Sequence, residues 1–157
     1  MAERNEAAAS TADREIVATR IFDAPRELVW KAWTDPKHVA LWWGPNGFKN
    51  TISEMDVRPG GVWRFIMHGP DGTDYANRVA FLEVVRPHRL VYIHGDERDP
   101  DQFRVTVIFE EQDGKTKLTM RSVFRSAADL AYVVEKHGAI EGMNQTLGRL
   151  KEYLLNM

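Results

Sequence analysis

The C-terminal stretch from Ser126 to Met157 constrains this chain more than any other part of it. On a helical period of about 3.6 residues, its apolar positions make two stripes rather than one. Leu130, Val133, Val134 and His137 share one face, and Ile140, Met143, Leu147, Leu150 and Leu154 share another. The stripe rotates at Gly138, where Lys136 and His137 suit a helix C-terminus and glycine suits a left-handed cap. The pattern predicts two helices, over 127–137 and 139–155, with Ser126 capping the first and Asp129 completing a capping box. The second helix carries a narrow apolar seam and a polar back of Glu141, Gln145, Arg149 and Glu152. It is roughly 25 Å long at 1.5 Å per residue. One face of such a helix needs a large partner surface.

Strands upstream supply it. Residues 14–22 alternate loosely and read as a strand. Asp23-Ala24-Pro25 opens a helix with Val29, Ala32 and Trp33 on its inner face, and Thr34-Asp35-Pro36 starts a second one predicted to reach Trp42. Gly44, Pro45 and Gly47 then break the chain into a loop. Strands are predicted over 51–57, 62–68, 75–85, 89–94, 103–110 and 117–124, separated by turn residues such as Pro70-Asp71-Gly72 and Gln112-Asp113-Gly114-Lys115. The expected fold class is α+β: a curved antiparallel sheet of about six to seven strands wrapped around a long C-terminal helix, with two short helices after the first strand. A strongly bent sheet cannot close on a helix everywhere along its concave side, and the space left over is a pocket. Residues 1–13 read as a disordered tail and 14–157 as one domain.

Composition narrows the function classes. A net charge of −2 with interspersed signs gives nucleic acid no basic face. No apolar run reaches the ~20 residues that cross a bilayer. Without cysteine there is no disulfide, thiolate metal site or cysteine nucleophile, and a cytoplasmic setting fits.

The segments FDAPRELVWKAWTDPKHVALWWGP (22–45), VRPGGVWRFIMHGPDG (57–72), RPHRLVY (86–92) and EGMNQTLGRLKEYL (141–154) together span nearly all of the chain beyond the tail. In these segments the chain resembles the SRPBCC superfamily, also called START-like or helix-grip proteins. Within it, the chain is similar to the group around the C-terminal domain of the activator of the Hsp ATPase. The resemblance implies a bacterial, stand-alone helix-grip protein with an internal cavity between the sheet and the last helix. Val79 stands where many relatives have glycine, Met143 where tryptophan is common, and Gly148 where aspartate is common, so a relative's ligand preference does not transfer. Nothing here matches the co-chaperone's N-terminal domain, so heat-shock ATPase activation is not expected.

Candidate ligand-binding residues are Trp42, Trp43, Phe48, Trp63, Phe65, Met67, Phe103, Met143 and Leu147, large apolar groups on positions that face the helix. Plain core packing is the ordinary fate of such residues, while Met67 and Met143 suit irregular space. His94 ends a strand and is a possible polar group in the cavity, able to orient a ligand or accept a proton. His137 ends a helix, and capping the helix dipole is its simpler role. His38, His68 and His88 read as exposed. Glu83 is a second possible polar cavity group if its strand register turns it inward. The acidic loop of Asp96, Glu97, Asp99 and Asp101 lacks the calcium-loop pattern, no two histidines stand at metal-ligand spacing, and no glycine cluster matches a phosphate loop. No metal, no cofactor and no catalytic constellation is expected.

The leading expectation is a protein that binds a small hydrophobic, aromatic or lipid-like molecule. A polyketide cyclase or dehydratase-like enzyme, with His94 or Glu83 moving a proton, is the second reading. A co-chaperone-like interaction module with Trp42 and Trp43 exposed is the third. Homodimerisation through the sheet edge or the loop stays open.

Overall fold

The computed structural model describes residues 12–157, and the expected tail lies outside them except for Ala12 and Asp13, which form a 3-10 turn with Arg14. Seven strands follow among the described residues: β1 (Glu15–Phe22), β2 (Lys49–Met55), β3 (Val62–His68), β4 (Asp74–Val85), β5 (Arg89–Gly95), β6 (Phe103–Gln112) and β7 (Lys115–Phe124). They form one antiparallel sheet in the order β1-β7-β6-β5-β4-β3-β2. Four α-helices accompany them among the described residues: α1 (Arg26–Thr34), α2 (Pro36–Val39), α3 (Ala127–His137) and α4 (Ala139–Leu154). This is the expected α+β helix-grip architecture, with β1 and β2 at opposite edges and α1 and α2 carrying the chain between them.

Period-two alternation sets the inner face. Trp63 and Phe65 of β3, Leu90 and Tyr92 of β5, Val105, Val107 and Phe109 of β6, and Leu118, Met120 and Phe124 of β7 are all buried there. The β6–β7 hairpin turns on Asp113 and Gly114, both at positive φ (54° and 80°), as a two-residue turn of the right twist requires. The pairing register shifts between Phe81 and Glu83, so Leu82 stands in a bulge. That shift decides one expectation: Glu83 is exposed and 3.4 Å from Arg89, not inside the cavity.

The helices differ in how firmly they are held. α1 buries Val29, Trp30, Ala32 and Trp33, and its two tryptophans meet Phe109 edge to face at 5.2 and 5.9 Å. α2 is shorter than expected and gives way to a turn after Val39, as Trp42 and Trp43 swing into the core. Ser126 caps α3 by accepting from the Asp129 amide at 3.0 Å. The reciprocal half of the capping box is not made, because the Asp129 carboxylate pairs with Arg125 instead. Gly138 adopts the left-handed conformation (φ 61°, ψ 42°) that ends α3 and lets α4 start in a new direction. α4 buries Leu147, Leu150 and Leu154, whereas α3 buries no residue. Ile140, expected on the seam, is 49% exposed. The rotation at Gly138 brings Ala139, Gly142 and Met143 toward the sheet in its place.

Candidate functional site

The concave side of the sheet is filled at one end and open at the other. At the filled end α1, the C-terminal half of α4 and a chain of edge-to-face tryptophans occupy it, with Trp33 on Trp42 and Trp43 and Trp43 on Trp63 at 5.0 to 5.7 Å. At the other end the N-terminal half of α4 presents Gly138, Ala139, Gly142 and Thr146. Residues four apart on a helix share a face, so small residues at 138, 142 and 146 fill little of the space between that face and the sheet. A cavity of about 220 Å³ remains between them. Trp43, Met67, Phe103, Met120, Phe124 and Met143 form its apolar wall, with Ser122, Thr146, His94 and His137 as polar members. A recess of about 480 Å³ adjoins it, lined by Phe48, Tyr75, Asn77, Asp96, Gln102 and Val133, and shares Pro45, Met67, His94, Phe103 and His137 with the cavity.

His94 stands where the two spaces meet. It pairs with Val79 on β4 and Phe103 on β6, which aims its ring at the concave side. The ring lies tilted on Phe103 at 4.8 Å, and Phe103 in turn stacks on Phe124 at 4.8 Å. Its Nε2 is 2.8 Å from Oδ1 of Asn77, whose amide nitrogen donates to the Tyr75 carbonyl at 2.9 Å. Burial pushes the His94 pKa down to about 4, so the ring is neutral at pH 7.

The loop between α2 and β2 forms the rim, and α4 holds it. Arg149, expected on the polar back of α4, is half-buried and donates through Nη1 to the carbonyls of Trp43, Gly44 and Pro45 at 3.2, 3.0 and 2.9 Å. Gln145 accepts from the Asn46 amide at 3.0 Å, and Asn50 donates to the Ala40 and Trp43 carbonyls. Desolvation lowers the Arg149 pKa. Gly44 sits at φ 97°, and a Cβ there would stand 2.8 Å from Met67 Cε, inside the cavity wall. Glycine therefore suits both the backbone and the lining.

The structure divides the expected residues into three groups. Trp43, Met67, Phe103, Met143 and His94 line the cavity, and Phe48 lines the recess. Trp42, Trp63, Phe65 and Leu147 belong to the filled end: Trp42 donates to the Ala32 carbonyl at 3.0 Å, and Trp63 stacks on Phe65 at 4.3 Å. Glu83 is on the surface. The histidines read as exposed are engaged: His38 meets the Tyr153 hydroxyl at 2.5 Å, His68 lies between Thr51 and Asp74, and His88 touches Arg26. His137 lines both spaces. Ser122 and Asn77 join the site unexpectedly, although each is the polar member of an otherwise apolar alternation, Leu118-Met120-Ser122-Phe124 and Asn77-Val79-Phe81. Among the described residues no group of three His, Asp or Glu side chains could hold a metal ion, and no helix is long and apolar enough to cross a membrane.

Comparison with known proteins agrees with this geometry. A crystal structure of a Mycobacterium smegmatis protein superposes with a TM-score of 0.84 at 29% identity, covering 95% of this chain and 96% of the other. A solution structure from Arthrobacter aurescens gives 0.85 at 26% identity, covering 96% and 91%. An AHSA1-like protein from Aeromonas hydrophila, at 23% identity and a TM-score of 0.73 over 90% and 92% of the two chains, shares the fold. Comparison with curated proteins finds no match. The model of the family described as activator of Hsp90 ATPase homolog 1-like protein matches residues 23–155, and the chain belongs to that family.

Proposed function

We propose that this member of the family binds a small hydrophobic molecule, aromatic or lipid-like, between the sheet and α4. The carrying observation is the cavity of about 220 Å³ with apolar walls, kept open by small residues on the facing turns of α4. Its walls are mostly apolar, so a guest that covers them removes apolar surface from water, at about 25 cal/mol per Å². Cavity and recess together have the dimensions and apolar lining of small-molecule sites, with a few polar groups.

The competing readings meet specific obstacles. Trp42 and Trp43 are 1% and 5% exposed, so the loop offers a partner protein no tryptophan patch. An enzyme of the cyclase type would rely on His94, which its strand register aims at the concave side. A conjugate-acid pKa of about 4 makes His94 a weak base, and no carboxylate lines the inner cavity to assist it.

The test is native mass spectrometry of freshly purified protein, together with a thermal-shift screen of neutral aromatics, long-chain alcohols and fatty acids. A bound mass, or a compound that raises the melting temperature, is the expected result. The absence of both a bound mass and any stabilising compound would overturn the binding role.

A further inference from the structure

The hydrogen bonds around His94 fix which of its nitrogens is free. Asn77 spends its amide N–H on the Tyr75 carbonyl, so its oxygen is what faces His94 Nε2. An acceptor at that point requires the proton on Nε2, and a neutral ring then presents Nδ1 as an unprotonated lone pair. Among the described residues nothing hydrogen-bonds Nδ1, nor is that atom among the buried polar atoms left unpaired. It is open to the space that the ring lines.

The charges around the space have a matching bias. Neither the cavity nor the recess is lined by lysine or arginine. The titratable groups around His94 are Tyr92, whose ring centre is 6.4 Å away, and His137, Tyr75 and Asp96, of which Asp96 brings a carboxyl group to the recess. The first-turn amides of α4 supply positive potential at the wall, but Glu141 stands in that turn. Helix-start attraction is also weaker than the hydration a carboxylate surrenders on entering an apolar site.

We infer that the site selects a neutral aromatic ligand bearing one hydroxyl or N–H donor, which it gives to Nδ1 of His94, and that it discriminates against carboxylates. This rests on the binding role proposed above and adds to it the polarity and charge of the guest. Four probes of similar size separate the two statements: naphthalene, 2-naphthol, 2-methoxynaphthalene and 2-naphthoate, titrated into isotope-labelled protein at pH 7 and followed by amide chemical shifts. The expected order places 2-naphthol first, about five- to tenfold tighter than its methyl ether, which cannot donate. Naphthoate is expected to be the weakest. In His94→Phe the naphthol and ether affinities converge while naphthalene binding persists. The imidazole nitrogen shifts of the unaltered protein give a reading that needs no variant: Nδ1 is unprotonated in the free protein and moves with naphthol but not with the ether. Equal affinities for naphthol and ether, an unmoved Nδ1, or tightest binding of naphthoate would overturn the inference while leaving the cavity a binding site. Failure of all four probes to bind would remove both.

Discussion

Arg149 on α4 donates a 3.2 Å hydrogen bond to the carbonyl of Trp43, and the same nitrogen reaches the next two carbonyls of the loop. One side chain thereby fixes the backbone of a loop that contributes Trp43, Gly44 and Pro45 to the cavity wall. With Nη2 also reaching the Leu41 carbonyl at 3.4 Å, the two ends of the guanidinium fork span four carbonyls, an arrangement the point charge of a lysine does not reproduce.

Arg149→Lys is accordingly expected to destabilise the protein by about 1.5–3 kcal/mol, the range for hydrogen bonds to a charged group. For a chain of this size that corresponds to a fall in melting temperature of several degrees, at about 2–4 °C per kcal/mol. Arg149→Met is expected to cost more, because it leaves carbonyls without a donor. Thermal melts followed by tryptophan fluorescence measure both. An unchanged midpoint in Arg149→Met would show that the loop is held by other contacts.

Met143→Trp tests the cavity from the helix side. Met143 lines the space, and a larger ring at this position is expected to fill part of it. Stability should stay level or rise, and binding of any hydrophobic probe should weaken at least tenfold, which is about 1.4 kcal/mol. Calorimetric titration of the same probe into both proteins decides. Undiminished affinity would place the ligand elsewhere.

The burial of His94 has a pH signature with a definite sign. Its folded-state pKa of about 4 lies below the ordinary histidine value of 6.5, so between these values the unfolded chain binds a proton that the native protein excludes. The full contribution is present above pH 6.5 and is lost as pH falls toward 4, at up to about 1.4 kcal/mol per pH unit. Comparison with a variant that lacks the imidazole isolates its share of the pH dependence. Urea unfolding at a series of pH values should therefore give a shallower slope between pH 6.5 and 4 for His94→Phe than for the unaltered protein. Parallel slopes would refute the assignment.

Ser126→Ala probes how tightly α3 is attached. Loss of a serine cap costs about 1 kcal/mol of helix stability, yet α3 buries no residue against the rest of the fold. The loss should appear as faster amide exchange confined to Ala127–His137, with little change in the global melting temperature. A large global effect would mean that α3 is an integral part of the cooperative core.

Much of this protein is legible in its sequence because the signals are local. Alternating apolar residues place the strands, Ser126 and Gly138 bound α3, and the Asp113-Gly114 turn follows from the φ values that hairpins demand. The two stripes in the C-terminal stretch and their break at Gly138 correspond to two helices. Trp43, Met67, Phe103, Met143 and His94 were within reach for the same reason, since each lies on the inward register of its element or on the loop that covers it.

What lay beyond the sequence depends on relations between elements. The bulge at Leu82 turns Glu83 outward, and a one-residue slip is invisible to a period-two pattern that reads equally well in either phase. Arg149 looks like part of a solvated helix back until the loop folds over it. Trp42, Trp63, Phe65 and Leu147 are as apolar as the residues that line the cavity; only the packing of α1 and the far half of α4 puts them in the filled end. Sequence determines which side of each strand or helix is apolar, because burial acts residue by residue. Where two apolar faces meet and where they stay apart is decided by three-dimensional packing, and here glycine and alanine at the start of α4 leave the space before the sheet unfilled.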